Sequence, residues 1–75
     1  MRIYEATNLV TEELLKATEN YGSMSGLHEG YAVILEELDE LWTEIKKWPH
    51  EDKEKIKKEA TQVAAMATRF LVDNC

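Results

Sequence analysis

Apolar residues recur every three or four positions in three segments of this 75-residue chain, and that spacing is the period of a helix. Between the first two segments lies 21–26, which contains two glycines and two serines, a composition typical of a connection. Pro49 separates the second segment from the third, because proline is tolerated in the first turn of a helix but not inside one. The sequence therefore predicts one all-α domain over 1–75, a three-helix antiparallel subunit. The predicted helices span about 2–20, 27–47 and 50–73.

The second and third predicted helices each carry an apolar stripe. Trp42 and Trp48 are most simply interpreted as core or edge packing, with stacking on a nucleobase as the alternative. Because so short a chain buries only a modest fraction of its surface, we expect it to assemble into a helical-bundle homo-oligomer, a homodimer or homotetramer. The stripes consist of Tyr31, Leu35, Leu38, Trp42 and Ile45, widened by Ile34 and Leu41, and of Ile56, Ala60, Val63, Ala67, Phe70 and Leu71.

Charge and cysteine content exclude several classes of protein. The net charge of -6 argues against a non-specific nucleic-acid binder, which needs a basic surface for the phosphate backbone. The single cysteine, Cys75, permits neither an intrachain disulfide nor a cysteine zinc site. No apolar run approaches the length of a membrane span, and residues 1–5 lack the apolar core of a signal peptide. We therefore expect a cytoplasmic protein without nucleic-acid or membrane partners.

Acidic residues are concentrated on the second predicted helix. Glu37 and Glu40 are three residues apart and so share one helical surface, and Glu59 and Gln62 repeat that spacing on the third helix. Two such pairs facing each other would supply the oxygen ligands that a magnesium ion prefers. Since Glu36 and Glu40 point away from the apolar stripe, the site needs a helix on this second face, from the same chain or a partner subunit. The alternative interpretation is that these acids form a solvated face.

The cations and a histidine leave similar alternatives open. Arg69 either pairs with Asp73 at the favourable i to i+4 spacing or reaches a phosphate. His28, in the first turn of the second helix, is either a partly exposed structural residue or a residue that contacts a phosphate or acts in proton transfer. Six lysines around the second break either balance the acids or meet a small anionic ligand. They are Lys46, Lys47, Lys53, Lys55, Lys57 and Lys58.

The acidic motif and its neighbours resemble a known family. Glu36-Glu37-Leu38-Asp39-Glu40, then eighteen residues, then Glu59-Ala60-Thr61-Gln62 is similar to the Glu-Glu-x-x-Glu and Glu-x-x-Asp pattern of the MazG-like, all-α nucleoside triphosphate pyrophosphohydrolases. The surrounding segments 28–42 and 59–70 look like a small subgroup found in bacteria and their phages. The resemblance covers most of the chain from 21 to 73. Gln62 departs from the pattern, because it stands at the aspartate position and brings an oxygen ligand without negative charge.

The resemblance implies a fold, a reaction and a set of site residues. It implies helices that associate across subunits, magnesium or manganese as cofactor, and hydrolysis of a nucleoside triphosphate to the monophosphate and pyrophosphate, in a bacterial or phage-infected host cell. The alternative hypotheses are a protein that binds or sequesters a nucleotide without cutting it and a purely structural helical adaptor. The implied metal ligands are Glu37, Glu40, Glu59 and Gln62, with Glu36 or Glu40 accepting the proton of the attacking water. For this hypothesis, the residues themselves suggest Lys46, Lys47, Lys53 and Arg69 as candidate phosphate contacts and Trp42 and His28 as candidates for stacking on the base.

Overall fold

Three helices and no strand make up the computed structural model, which describes all 75 residues. They are α1 (Ile3–Asn20), α2 (Leu27–Ile45) and α3 (Lys53–Asn74). This confirms the predicted all-α chain of three helices. No helix is both long enough and apolar enough to span a membrane.

The turn between α2 and α3 is longer than the sequence predicted. At the end of α2, the backbone N–H groups of Lys47 and Trp48 donate to carbonyls three residues back, at 3.3 and 3.2 Å, which tightens the chain out of the helix at Ile45. At the start of α3, the Asp52 carboxylate accepts from the N–H of Glu54 at 2.9 Å and is the N-cap. The helix therefore begins at Lys53 rather than near Pro49.

α3 is the central element, because α1 and α2 each pack against it and make no contact with each other. Gly30, near the start of α2, approaches Phe70, near the end of α3, so these two helices run antiparallel. The segment after α1 is bonded to the end of α3, where the Met24 N–H donates to Asp73 Oδ2 at 2.9 Å. Consecutive helices thus run in opposite directions, and an open groove separates α1 from α2.

Arg69 fixes the connection between α1 and α2 to α3. Its guanidinium donates to the Gly22 carbonyl, and its Nε lies 3.4 Å from Asp73 Oδ2. Arg69 is itself 8% exposed. Because Asp73 also holds the Met24 N–H, this buried ion pair ties three parts of the chain together.

The apolar stripe predicted on α2 lies along one side of the helix, but it is not buried in the single chain. Leu38 is 48% exposed and Trp42 58%. The expected core or edge role of Trp42 and Trp48 is therefore wrong for the isolated chain, since both are exposed. These residues are exposed because α2 is oriented with Gly30, Glu37 and their neighbours toward α3. We term the exposed line the α2 stripe; with the exposed Leu27 it comprises Leu27, Tyr31, Leu35, Leu38, Trp42 and Ile45.

Candidate functional site

A cleft of about 580 Å³ opens between α1 and α2, with α3 as its floor. Its walls are mixed, since methionine, valine and alanine side chains alternate with carboxylates, amides and cations. Such a lining suits a ligand with an apolar body and a charged group. Its residues include Lys16, Ala17 and Asn20 from α1, Glu29, Val33 and Glu37 from α2, and Gln62, Met66 and Arg69 from α3.

Three carboxylates meet beside this cleft. Glu37 and Glu40 project from adjoining turns of α2, and Glu59 projects from the facing turn of α3. One oxygen of each lies within 4.8 Å of the others. The helix that completes the acidic face is therefore supplied by the same chain, which is one of the two arrangements that the sequence left open. Glu37 also lines the cleft, so the carboxylate cluster sits at its border.

The carboxylates of this cluster are partly buried and repel one another. Burial, and then the charge of Glu40, raise the pKa of Glu37 to about 7, with Glu59 and Glu36 adding to the repulsion. Burial also raises the pKa of Glu59, followed by hydrogen bonding to the Glu40 carboxyl. The Oε2 atoms of Glu37 and Glu59 are buried and have no hydrogen-bond partner. Two unpartnered carboxylate oxygens beside a third carboxyl are an arrangement that a cation would relieve.

The donor set fits a hard divalent cation. Carboxylate oxygens are the ligands that magnesium takes from proteins, at about 2.1 Å, so two oxygens on one ion lie at most about 4.2 Å apart. Because neighbouring oxygens on one octahedral ion lie about 3 Å apart, the present separations of up to 4.8 Å mean that the side chains would close by up to about 2 Å. Glu37, Glu40 and Glu59 would hold the ion.

The two remaining residues of the acidic motif occupy different places. Gln62 lines the cleft together with Glu37. Glu36 is exposed and outside the cluster, although its charge acts on Glu37. At about 100° per residue it lies on the flank of α2 that carries Val33 and Glu40. Glu36 is therefore near the cluster without being one of its members.

Of the four predicted phosphate contacts, only Arg69 lines the cleft. Lys46, Lys47 and Lys53 lie at the turn between α2 and α3 and do not line the cleft. Lys47 Nζ is 2.9 Å from Glu44 Oε2, and Lys53 Nζ is 3.9 Å from Glu51 Oε1. Arg69 does line the cleft, but Gly22 and Asp73 already engage its guanidinium.

Lys16 is the cleft cation that sequence analysis missed. It lies on the α1 wall, exposed and without an ion-pair partner. No motif pointed to it, because its position depends on α1 docking against α3. Of the two predicted stacking residues, neither Trp42 nor His28 lines the cleft, and both are exposed.

Comparison with known proteins adds no assignment: no protein-family model, curated protein or solved structure gives a significant match to the chain. The function is therefore argued from the site itself.

Proposed function

We propose that this protein is a magnesium-dependent nucleotide pyrophosphohydrolase, which cleaves a nucleoside triphosphate to the monophosphate and pyrophosphate in the cleft between α1 and α2. The observation that carries the proposal is the meeting of Glu37, Glu40 and Glu59 at the border of a cleft of about 580 Å³. The motif resemblance independently implies these three acids as metal ligands. Manganese is an acceptable substitute, because it prefers the same oxygen ligands.

The protein's own residues have separate tasks in this reaction. Glu37, Glu40 and Glu59 would hold the cation with their carboxylates, and Gln62 lines the same cleft as Glu37. When bound, magnesium shields the phosphate charge and makes a coordinated water more nucleophilic. Glu36 accepts the proton of the attacking water, because it lies near the cluster without being one of the three carboxylates that meet there. Water adds to a phosphorus atom of the triphosphate, and the bond to the pyrophosphate leaving group breaks.

The opposite wall of the cleft supplies the countercharge. Lys16 lies across from the acidic border and has no protein partner, so its ammonium is available to a phosphate. We expect Lys16→Met to weaken triphosphate binding about tenfold, which corresponds to one charge-assisted contact. Lys57→Met is the matched control, because Lys57 is outside this cleft and lies 4.0 Å from Glu54. Equal loss in both variants would contradict the assignment.

The proposal is tested by incubating the protein with magnesium or manganese and a panel of standard, deoxy and modified nucleoside triphosphates. We expect pyrophosphate release that stops on removal of the metal. Glu40→Gln should lower metal affinity about tenfold or more while helix content is unchanged. Asp39→Asn removes a charge from the same helix outside the cluster and should leave the metal titration unaltered. If the protein releases no pyrophosphate from any of these triphosphates, the proposed hydrolysis is wrong.

A second candidate function is favoured by Gln62. Magnesium is generally held through carboxylates and substrate phosphates, so an amide at the fourth position weakens the site when no nucleotide is bound. The cleft would then bind a nucleotide, or a nucleotide signal, without cleaving it. Calorimetry that shows tight, metal-independent binding, with the ligand recovered intact, supports this function over hydrolysis. Gln62→Asp separates the two: pyrophosphate release gained only in this variant identifies a binding protein.

A further inference from the structure

The cleft between α1 and α2 changes character along its length. Glu37 and Gln62 line it at the acidic border, and residues 21–24 of the connection between α1 and α2 line the other end, which we term the far end. On α2, Glu29 precedes Glu37 by eight residues, which is about 12 Å of helix at about 1.5 Å per residue. The cleft therefore continues well beyond the carboxylates.

The lining between the two ends is apolar. Val33 lies four residues before Glu37 on α2, and Met66 lies four residues after Gln62 on α3, so each is one turn closer to the far end. Ala17, which is buried, adds a third apolar side chain from α1. A flat aromatic ring suits such a space, because its faces are apolar and a thioether makes favourable contacts with it.

Free hydrogen-bonding groups lie at the far end. Asn20, the last residue of α1, lines the cleft and is exposed, and its amide makes no hydrogen bond within the chain. The backbone N–H groups of Gly22 and Ser23 have no partner in the chain either. An amide offers a donor and an acceptor side by side, which is the pattern by which asparagine recognises the edge of a base.

The connection that carries these N–H groups is held against α3. The Arg69 guanidinium donates to the Gly22 carbonyl, and Asp73 accepts from the Met24 N–H at 2.9 Å. Arg69 and Asp73 are also paired with each other, at 3.4 Å. The end wall of the cleft is therefore ordered before a ligand arrives, which lowers the entropy cost of binding there.

We propose that the far end of the cleft is a nucleobase subsite, in which the ring lies between Val33 and Met66 and Asn20 recognises its polar edge. The subsite rests on the proposed function, because a nucleotide with its phosphates at the carboxylates has the rest of the cleft for its base. It takes the place of the predicted stacking on Trp42 and His28, which do not line the cleft. Asn20 is then the residue that determines which base is preferred.

NMR of the methionine methyl groups in the full chain locates the ring without requiring catalysis. The three methionines mark three places: Met66 in the apolar part of the cleft, Met24 at the far end, and Met1, which is 75% exposed and outside the cleft. With the monophosphates of adenosine, guanosine, cytidine and uridine, we expect ring-current shifts and contacts with base protons at Met66 and none at Met1. No response at Met66 to any of the four, or contacts of the base with Trp42 instead, would overturn the subsite.

Asn20→Asp tests whether this amide selects the base. The change replaces the amide donor with a second acceptor, so a base that presents an acceptor there loses a contact, whereas one that presents a donor keeps it. We expect the ratio of affinities for two nucleoside monophosphates that differ only in the base to change about tenfold. The added negative charge acts on every nucleotide alike and cancels in this ratio.

Asn8→Asp is the matched control. It makes the same change on the same helix at an exposed position outside the cleft, so the ratio should stay as in the unmodified protein. A ratio that is unaltered in Asn20→Asp, or altered equally in both variants, would contradict the role of Asn20.

The outcomes separate the subsite from the proposed hydrolysis. If Met66 responds to nucleotides and Asn20→Asp changes the ratio, but no pyrophosphate is released from any triphosphate, the subsite is right and the hydrolysis is wrong. If pyrophosphate is released while Met66 does not respond, the hydrolysis is right and the base binds elsewhere.

Discussion

The charges at the acidic border of the cleft are unusual because they repel one another in a partly buried position. Glu37 is the extreme case, with a pKa raised to about 7 by burial and by Glu40. Sequence analysis predicted that Glu37, Glu40 and Glu59 face one another, since helical spacing determines which acids share a face, and the structure brings their oxygens within 4.8 Å. It did not find Lys16, because a residue on α1 reaches the cleft only through the packing of α1 on α3.

Protonation of Glu37 predicts how stability depends on pH. Between its ordinary value of 4.5 and about 7, the folded chain keeps a proton on Glu37 that the unfolded chain releases. The folded state binds more protons, so the free energy of unfolding falls as pH rises through this window. The stabilising contribution is complete below pH 4.5 and is lost above pH 7. Urea unfolding at the two ends of the window measures the difference.

The variant Glu37→Gln tests whether Glu37 causes this pH dependence of stability. At a pH above the window it should be more stable than the unmodified protein by about 1–2 kcal/mol, after a discount for solvent access to the site. It should also flatten the pH dependence without abolishing it, because Glu59 has a raised pKa too. The exposed Asp39 provides the control, and Asp39→Asn should retain the full slope. An unchanged slope in Glu37→Gln would exclude Glu37 as the source.

Arg69 leads to a second prediction at the scale of one residue. Arg69→Met removes the donor to the Gly22 carbonyl and leaves the Asp73 carboxylate without its cation, so we expect a loss of about 2–4 kcal/mol in the free energy of unfolding. Lys53→Met breaks a 3.9 Å pair on the surface and should cost less than about 0.5 kcal/mol. Chemical denaturation measures both, and a similar cost for the two would contradict the structural role of Arg69.

At the scale of the helices, sequence periodicity gave their number, order and approximate bounds but not the faces that they bury. The apolar stripes of α2 and α3 suggested which sides would meet, whereas in the chain α2 turns its glycine and acids toward α3. Periodicity records that a face is apolar and does not record what covers it. In the single chain the α2 stripe therefore stays exposed.

Gly30 determines how closely α2 approaches α3. A Cβ at this position would overlap the Phe70 ring, with Cε2 at 2.8 Å. Although alanine is favoured over glycine in a helix by about 1 kcal/mol, we expect Gly30→Ala to destabilise the fold by about 1–3 kcal/mol, because overpacking outweighs propensity. Thermal unfolding measures the change. Combining Gly30→Ala with Phe70→Leu should recover stability, and a stabilised single variant would refute the close contact.

The whole molecule is held together through α3, since α1 and α2 do not touch. Ala17 is the only buried residue of α1. Few buried contacts are therefore lost when α1 detaches from α3. Its backbone amides should therefore exchange with solvent faster than those of α2 and α3. Hydrogen exchange followed by mass spectrometry checks this order.

Ligand binding should change that order of exchange. A nucleotide with magnesium that bridges Lys16 and the acidic border would slow exchange in α1 more than in the turn between α2 and α3. Protection confined to that turn, where Lys46 and Lys47 lie, would instead place the phosphates outside the cleft.

The two walls of the cleft belong to α1 and α2, which are joined through α3. This arrangement affects which sizes of ligand the cleft could admit. The angle at which α1 leans on α3 sets the width of the opening, while the carboxylates stand on α2 and α3 and keep their spacing. Exchanges of side-chain size on the α1 wall, at Ala17 or Asn20, would change the room in the cleft and leave the three carboxylates in place. The size of the opening and the spacing of the carboxylates can therefore vary independently.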